Sequence, residues 1–292
     1  MPFLYRSYAQ LSADLVAWSQ RLPTVSAVCG VPRSGAIVAS MLAQILHCPL
    51  LSIETLIGGA QAFRPSCSRK LAYEAGPILL VDDTCSRGRT RTEVGRLIRP
   101  GLQVLYGAVY ARPQAIAAFP DLLYGFELPT PYHTFEWNLL RDSVTKTLLV
   151  DMDGILCHDW LGGPSEEDGT YEKFLNTVRP LRLPTQPVAA VVTNRLERWR
   201  PQTEAWLARH GIQYGQLRMY PGTAEERDQD WTRHKASVFK ELRNRVSGFV
   251  ESCPRQAKRI AERTGFSVLH MESGTMWNGL EPIAPPVEPR TE

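Results

Sequence analysis

Two places in the 292-residue chain set paired carboxylates next to groups that can hold phosphate. The first is Asp82-Asp83. It follows the apolar run Ile78-Leu79-Leu80-Val81 and precedes Thr84-Cys85-Ser86-Arg87-Gly88-Arg89-Thr90. Adjacent acids suit the hydroxyls of a sugar, and a loop of small, hydroxyl and glycine residues opening a helix suits that sugar's phosphate. A shorter turn of related character, Val31-Pro32-Arg33-Ser34-Gly35, lies about fifty residues earlier. Its Arg33 can offer bidentate donors to a phosphate, and Gly35 lets the backbone come close. The second place is Asp151-Met152-Asp153-Gly154, after the apolar Leu148-Leu149-Val150. One of these carboxylates can attack phosphorus while the other handles the leaving-group proton. The pair also suits Mg²⁺, which binds carboxylates together with phosphate oxygens.

The elements that must position these residues alternate between strand and helix. Val25 to Gly30, Leu50 to Glu54, Ile78 to Val81, Val104 to Tyr110 and Leu122 to Phe126 read as strands. Tyr8 to Gln20 and Ala36 to Leu46 carry helical spacing, and a further helix opens at Thr92. Such alternation implies a doubly wound parallel sheet, whose ligands lie beyond the carboxyl ends of the strands. The segment Leu56 to Tyr73 carries Gly58, Gly59, Arg64, Ser66, Ser68, Arg69 and Lys70. It reads either as a lid over a diphosphate or as a solvated loop. Leu128-Pro129-Thr130-Pro131-Tyr132 reads as an extended connector, and the aromatics of His133 to Asn138 read as a docking contact rather than a base platform. Beyond it, Thr147 to Val150, Val188 to Thr193 and Gly248 to Glu251 read as strands; Pro201 to His210, Ala236 to Arg243 and Arg255 to Thr264 read as helices. The expected division is a domain of residues 1–130, a linker of 131–146, a domain of 147–280 and a proline-rich, disordered tail of 281–292.

The run from Ile78 to Thr90 resembles the ribose-phosphate signature of type I phosphoribosyltransferases, and Val31 to Gly35 resembles the diphosphate loop of that family. The resemblance implies phosphoribosyl diphosphate as a ligand. Asp82 and Asp83 would hold its ribose hydroxyls with Mg²⁺; Thr84, Cys85, Ser86, Arg87, Gly88, Arg89 and Thr90 would surround its 5′-phosphate; Val31, Pro32, Arg33, Ser34 and Gly35 would hold the diphosphate. The second half is similar to haloacid dehalogenase-like (HAD-like) phosphohydrolases. Asp151 would then be the nucleophile, Asp153 the acid/base, and Thr193 the hydroxyl that orients the phosphoryl group. Lys235 would balance its charge, and Asp151, Asp153 and Glu251 would hold Mg²⁺. The pattern departs at Glu251-Ser252, where two acids are usual, which puts metal holding and turnover in question. Only about thirty residues separate Leu156 from Val188, too few for a separate cap domain. The implied fold class is α/β, with two doubly wound parallel-sheet domains, a type I phosphoribosyltransferase fold followed by a capless HAD-like Rossmannoid fold. The pairing, with Phe135-Glu136-Trp137-Asn138 between the halves, resembles a family of bacterial and phage fusion proteins with no settled substrate. Arg195, Arg198, Arg200 and Arg209 read either as anion contacts or as a solvated basic face.

Composition bounds these expectations. A net charge of +3 gives no strong electrostatic case for nucleic acid. Six scattered cysteines without a Cys-x-x-Cys pair argue against structural zinc and against a disulfide framework. No apolar run is long enough to span a bilayer, and the first residues lack a secretory apolar stretch, so a cytoplasmic protein is expected. The expected partners are phosphoribosyl diphosphate, a nitrogen base and a phosphate monoester, without membrane or nucleic acid; a homodimer fits a transferase family that often dimerises. Three functions are compatible with the motifs. One is a bifunctional enzyme coupling phosphoribosyl transfer to Mg²⁺-dependent phosphate ester hydrolysis. Another is a phosphoribosyl-diphosphate sensor regulating a phosphatase. The third is a nucleic-acid end-processing phosphatase.

Overall fold

A computed structural model of the chain describes residues 3–58, 76–162, 169–279 and 281–282. Gly59, Arg64, Ser66, Ser68, Arg69 and Lys70, of the segment read as either a lid or a solvated loop, lie outside them, as do residues 163–168 and 283–292. The chain forms two compact units. One comprises residues 8–131; the other joins residues 3–7 to the residues from 132 onward.

After a first strand, β1 (Leu4–Arg6), the unit of residues 8–131 runs α1 (Tyr8–Ser19), β2 (Ala27–Gly30), α2 (Gly35–Ile45), β3 (Leu50–Leu51), α3 (Ile53–Gly58), β4 (Ile78–Cys85), α4 (Arg89–Gly95), β5 (Val104–Ala111), α5 (Pro113–Ala118) and β6 (Leu123–Glu127). Its strands make one parallel sheet in the order β3-β2-β4-β5-β6. The apolar run Ile78 to Val81 is buried, as a central parallel strand covered on both faces requires. Two local expectations change. Strand β3 ends at Leu51, and Ile53 and Glu54 enter helix α3, which buries Leu56 against Ala27, Cys29 and Leu80. A two-residue pairing with β2 is too short to hold Ile53 extended, so packing overrides its β-propensity. Strand β4 continues through the acids, because β5 pairs with it as far as Cys85↔Ala111. Helix α4 then starts at Arg89, three residues before the sequence-based start.

The second unit adds β7 (His133–Phe135), β8 (Leu148–Val150), α6 (Thr170–Thr177), β9 (Val188–Leu196), α7 (Arg200–Arg209), β10 (Tyr214–Tyr220), α8 (Ala224–Gln229), α9 (Arg233–Leu242), β11 (Gly248–Glu251), α10 (Pro254–Thr264), β12 (Ser267–His270), β13 (Thr275–Asn278) and β14 (Glu281–Pro282). Its sheet has the order β10-β9-β8-β11-β12-β13-β14, parallel from β10 to β12 and antiparallel beyond. Both units are thus α/β with parallel sheets. Strand β1 pairs in parallel with β7, Leu4 opposite His133 and Arg6 opposite Phe135. Phe3 and Tyr5 are buried in the same core as Leu148, Val150, Trp206 and Leu207. Residues 3–7 and 132–146 therefore fold with the second unit, although the sequence boundaries place them in the first domain and the linker. The unit of residues 8–131 is an insertion into the chain of the other. Among the described residues no helix is long and apolar enough to cross a membrane.

Candidate functional site

The first acid pair sits on β4. Asp82 and Asp83 are adjacent on that strand, and the backbone N–H of Asp83 donates to Asp82 Oδ1 at 2.9 Å. Burial and then the charge of Asp83 push the Asp82 carboxyl up to about 7. A cation or a set of hydroxyl donors brought here would relieve both causes. A cavity of about 340 Å³ opens beside the pair, lined by Val31, Asp82 and the whole stretch Thr84, Cys85, Ser86, Arg87, Gly88, Arg89 and Thr90. Gly88 caps α4 with φ of 71°, and a Cβ there would fall 2.0 Å from the Phe119 ring, so only glycine fits.

Pro32, Arg33, Ser34, Gly35 and Asp83 do not line that cavity, but the loop abuts the acids. Val31 N–H donates to Val81 O at 2.9 Å. A Cβ on Gly35 would lie 2.6 Å from Val81 O and 3.1 Å from Asp82 Oδ1. The Pro32–Arg33 peptide bond is cis. Arg91, which no sequence pattern singles out, also lines the cavity. Its guanidinium lies 4.8 Å over Tyr106 and 4.4 Å over Phe119 and pairs with Asp121 at 2.6 Å. Nothing in its local sequence separates it from the neighbouring arginines; the stacking partners come from β5 and the end of α5.

The second acid cluster is assembled at the carboxyl ends of three neighbouring strands. Pairing Val150 with Val191 and with Val250 places Asp151 one residue past β8, Thr193 two past Val191 and Glu251 one past Val250. Helix α9 supplies Lys235, whose Nζ lies 2.9 Å from Asp151 Oδ2 and 2.8 Å from Glu251 Oε2. Asp151, Thr193, Lys235 and Glu251 are each at most 4 % exposed. Burial disfavours the Lys235 charge, but Asp151 and Glu251 outweigh it and hold the ammonium more firmly than usual. Burial, then Glu251, raises the proton affinity of Asp151, and Lys235 opposes them. Asp153 points to a different cation. Arg195, 2 % exposed on β9, donates from Nε to Oδ2 at 2.9 Å and from its terminal nitrogen to Oδ1 at 2.6 Å. Arg195 and Thr193 are two apart on an extended strand, hence on one face; that spacing was the signal available in the sequence. Arg195 is thus neither of the alternatives its sequence allowed, and Arg200 pairs on the surface with Glu197 and Glu204.

Glu251 is fully buried, and one of its oxygens is taken by Lys235. Its other oxygen accepts from the N–H groups of Ser252 and Cys253 at 3.0 and 3.1 Å. Ser252, in the place of a second acid, donates to Asp151 Oδ2 at 3.0 Å. With Asp151, Asp153 and Glu251 all engaged by protein groups, this donor set as arranged does not fit the expected Mg²⁺ site. Among the described residues no group of three His, Cys, Asp or Glu side chains is gathered to hold a metal. A second cavity, also about 340 Å³, is lined by Gly154, His158, Asp159, Arg182, Ser252 and Met271 among others; Asp151, Asp153, Thr193, Lys235 and Glu251 do not line it, and Ser252 joins it to the cluster. His270, assigned no role from sequence, is buried at the end of β12, its Nε2 3.0 Å from Ser252 O.

No protein-family model matches the chain, and no curated protein matches it. Solved structures do. A purine phosphoribosyltransferase from Pyrococcus horikoshii is 21% identical over 47% of this chain and 94% of that one, with a TM-score of 0.35. An orotate phosphoribosyltransferase from Aeropyrum pernix is 23% identical over 41% of this chain and 70% of that one, with a TM-score of 0.32. A xanthine-guanine-hypoxanthine phosphoribosyltransferase from Helicobacter pylori is 15% identical over 46% and 92%, with a TM-score of 0.32. At these identities and scores, function rests on the residues of this chain.

Proposed function

We propose that the chain is an enzyme with two activities in nucleotide metabolism. The unit of residues 8–131 transfers a phosphoribosyl group between its diphosphate and a nitrogen base. The other unit hydrolyses a phosphate monoester. One observation supports this reading above the rest: each of two separate, mainly parallel sheets carries acids at the carboxyl end of a central strand, Asp82 lining one cavity and Asp151 accepting from Ser252, which lines the other.

In the transfer, the bond from sugar C1′ to the diphosphate oxygen breaks and a bond from C1′ to a base nitrogen forms; the nitrogen's proton passes to solvent. Asp82 and Asp83 hold the ribose hydroxyls, Ser86 to Thr90 cradle the 5′-phosphate, and Val31 to Gly35 hold the diphosphate. Catalysis is positioning and charge neutralisation. The raised proton affinity of Asp82 fits a Mg²⁺ held by Asp82 and Asp83, which would neutralise diphosphate charge when bound.

In the hydrolysis, an Asp151 oxygen attacks phosphorus and the ester P–O bond breaks. Asp153 delivers a proton to the leaving oxygen, then takes one from the water that cleaves the aspartyl phosphate. Thr193 and Lys235 hold the phosphoryl oxygens.

The test is direct. Full-length protein is incubated with the diphosphate donor and each nucleobase, and separately with a panel of phosphomonoesters. Diphosphate release with at least one base, and phosphate release from at least one ester, are expected. A chain that releases neither overturns the reading.

A further inference from the structure

We propose that Arg195 is the positioning residue for the proton-transferring carboxyl of Asp153, an inference that rests on the hydrolase reading of this site. The arrangement is specific. Nε and one terminal nitrogen of the guanidinium grip the two oxygens of Asp153 at 2.9 and 2.6 Å. The other terminal nitrogen donates to Thr203 Oγ1 at 3.3 Å, and the first also reaches Cys157 Sγ at 3.3 Å. Cys157 Sγ in turn lies 3.4 Å from Asp153 Oδ1. The ring of Phe174 sits 6.0 Å from the guanidinium carbon. The segment after β8, strand β9, helix α7 and helix α6 thus all bear on one buried fork.

This places Arg195 behind the reacting carboxyl rather than in front of it. A guanidinium 2 % exposed that spends four of its five N–H groups on Asp153, Cys157 and Thr203 is committed to the protein rather than to a substrate phosphate. The fork fixes both oxygens of Asp153 in a plane and in one rotamer, which a lysine point charge cannot do. An acid that meets the leaving oxygen only in passing loses most of its effect, since proton transfer demands hydrogen-bond reach in the transition state. Asp153 remains the one acid of the cluster with appreciable exposure, its side chain 23% accessible, so its outer edge can meet a substrate while Arg195 holds it from within.

The consequence depends on the leaving group. When the ester P–O bond breaks, a poor leaving group such as an alkoxide needs the proton that Asp153 supplies. p-Nitrophenolate departs without it. The value of kcat/KM covers steps only up to that cleavage, so the later attack of water on the aspartyl phosphate does not enter the comparison.

Full-length wild type, Arg195→Met, Arg195→Lys and Thr203→Val are therefore compared on an alkyl phosphate and on p-nitrophenyl phosphate, with inorganic phosphate as a competitive inhibitor. Arg195→Met is expected to lower kcat/KM for the alkyl ester about 10²-fold, the low end for general acid catalysis, and for the aryl ester by less than about tenfold. Arg195→Lys should recover part of the alkyl-ester loss, Thr203→Val should lose a small part of it, and phosphate inhibition should be unchanged throughout. Equal losses on both esters, or no recovery with lysine, would reduce Arg195 to a structural role and overturn the proposal. Weakened phosphate inhibition would make it a substrate-binding residue and overturn it equally. A wild type that cleaves neither ester overturns the hydrolase reading itself, which separates that failure from this one.

Discussion

The two acid pairs differ in what bears on the titrating carboxyl. At Asp82 and Asp83 the sheet brings two like charges together, and burial with mutual repulsion raises the proton affinity of Asp82. At Asp151 and Asp153 the fold supplies the countercharges itself, Lys235 to one and Arg195 to the other, each buried. The first arrangement gains when a ligand or cation arrives. The second is organised before any ligand binds, which is the usual condition for chemistry at a fixed phosphorus atom. One unit should therefore respond to its ligand in stability and in pH, and the other mainly in rate.

Removing the nucleophile tests the contrast most severely. Asp151→Asn should cut phosphate release at least about 10³-fold while diphosphate release with a base stays unchanged. Loss of both activities would mean that the two units do not work independently. Next in size is a packing effect. Phe3 is fully buried in the core of the second unit, and a Cβ on Gly248 would sit 2.7 Å from its ring. Phe3→Ala should cost about 3–5 kcal/mol, read as a lowered thermal midpoint and lost phosphate release, although residue 3 opens the chain far from the acid cluster in sequence.

Asp82 and Asp83 come third. Asp82→Asn with Asp83→Asn should lower diphosphate release about 10²-fold and leave phosphate release alone. If Asp83→Asn instead changes the phosphatase rate with no transferase activity to lose, the first unit is a sensor of the donor. Gly88→Ala follows. Its backbone lies at φ of 71°, a conformation costing a side chain about 1–2 kcal/mol, and its Cβ would meet the Phe119 ring. A lower thermal midpoint and weaker binding of the diphosphate donor are expected.

The smallest effect is the pH response. The folded chain holds the Asp82 proton up to about 7, whereas the unfolded chain releases it near the ordinary carboxylate value of about 4. Between those values the unfolded state binds fewer protons, so this group's contribution to stability falls as pH rises. Donor affinity should move the other way, rising up to about tenfold as pH passes through 7 and the pair ionises. Asp83→Asn should shift that rise to lower pH in part only, because burial is the larger cause. A flat affinity profile from pH 6 to 8 would show that Asp82 is not in contact with the donor.

The sequence by itself determined which residues could do chemistry and on what kind of element. Asp82 and Asp83 after Ile78 to Val81, and Asp151 with Asp153 after Leu148 to Val150, were legible because a parallel strand buried on both faces must be a short apolar run, and polar residues gather at its end. Thr193, Lys235 and Glu251 stood out only through the resemblance to HAD-like phosphohydrolases. Only tertiary structure decided how the charges are shared. Lys235 reaches Asp151 and Glu251, and Arg195 reaches Asp153, because adjacent strands and a helix from distant parts of the chain meet at one sheet end. It alone decided that Glu251 meets Lys235, and that Phe3 and Tyr5 complete the second core. Spacing along a strand or helix is a local property, set by backbone geometry; the pairing of buried charges and the filling of a core depend on contacts that only the closed fold creates.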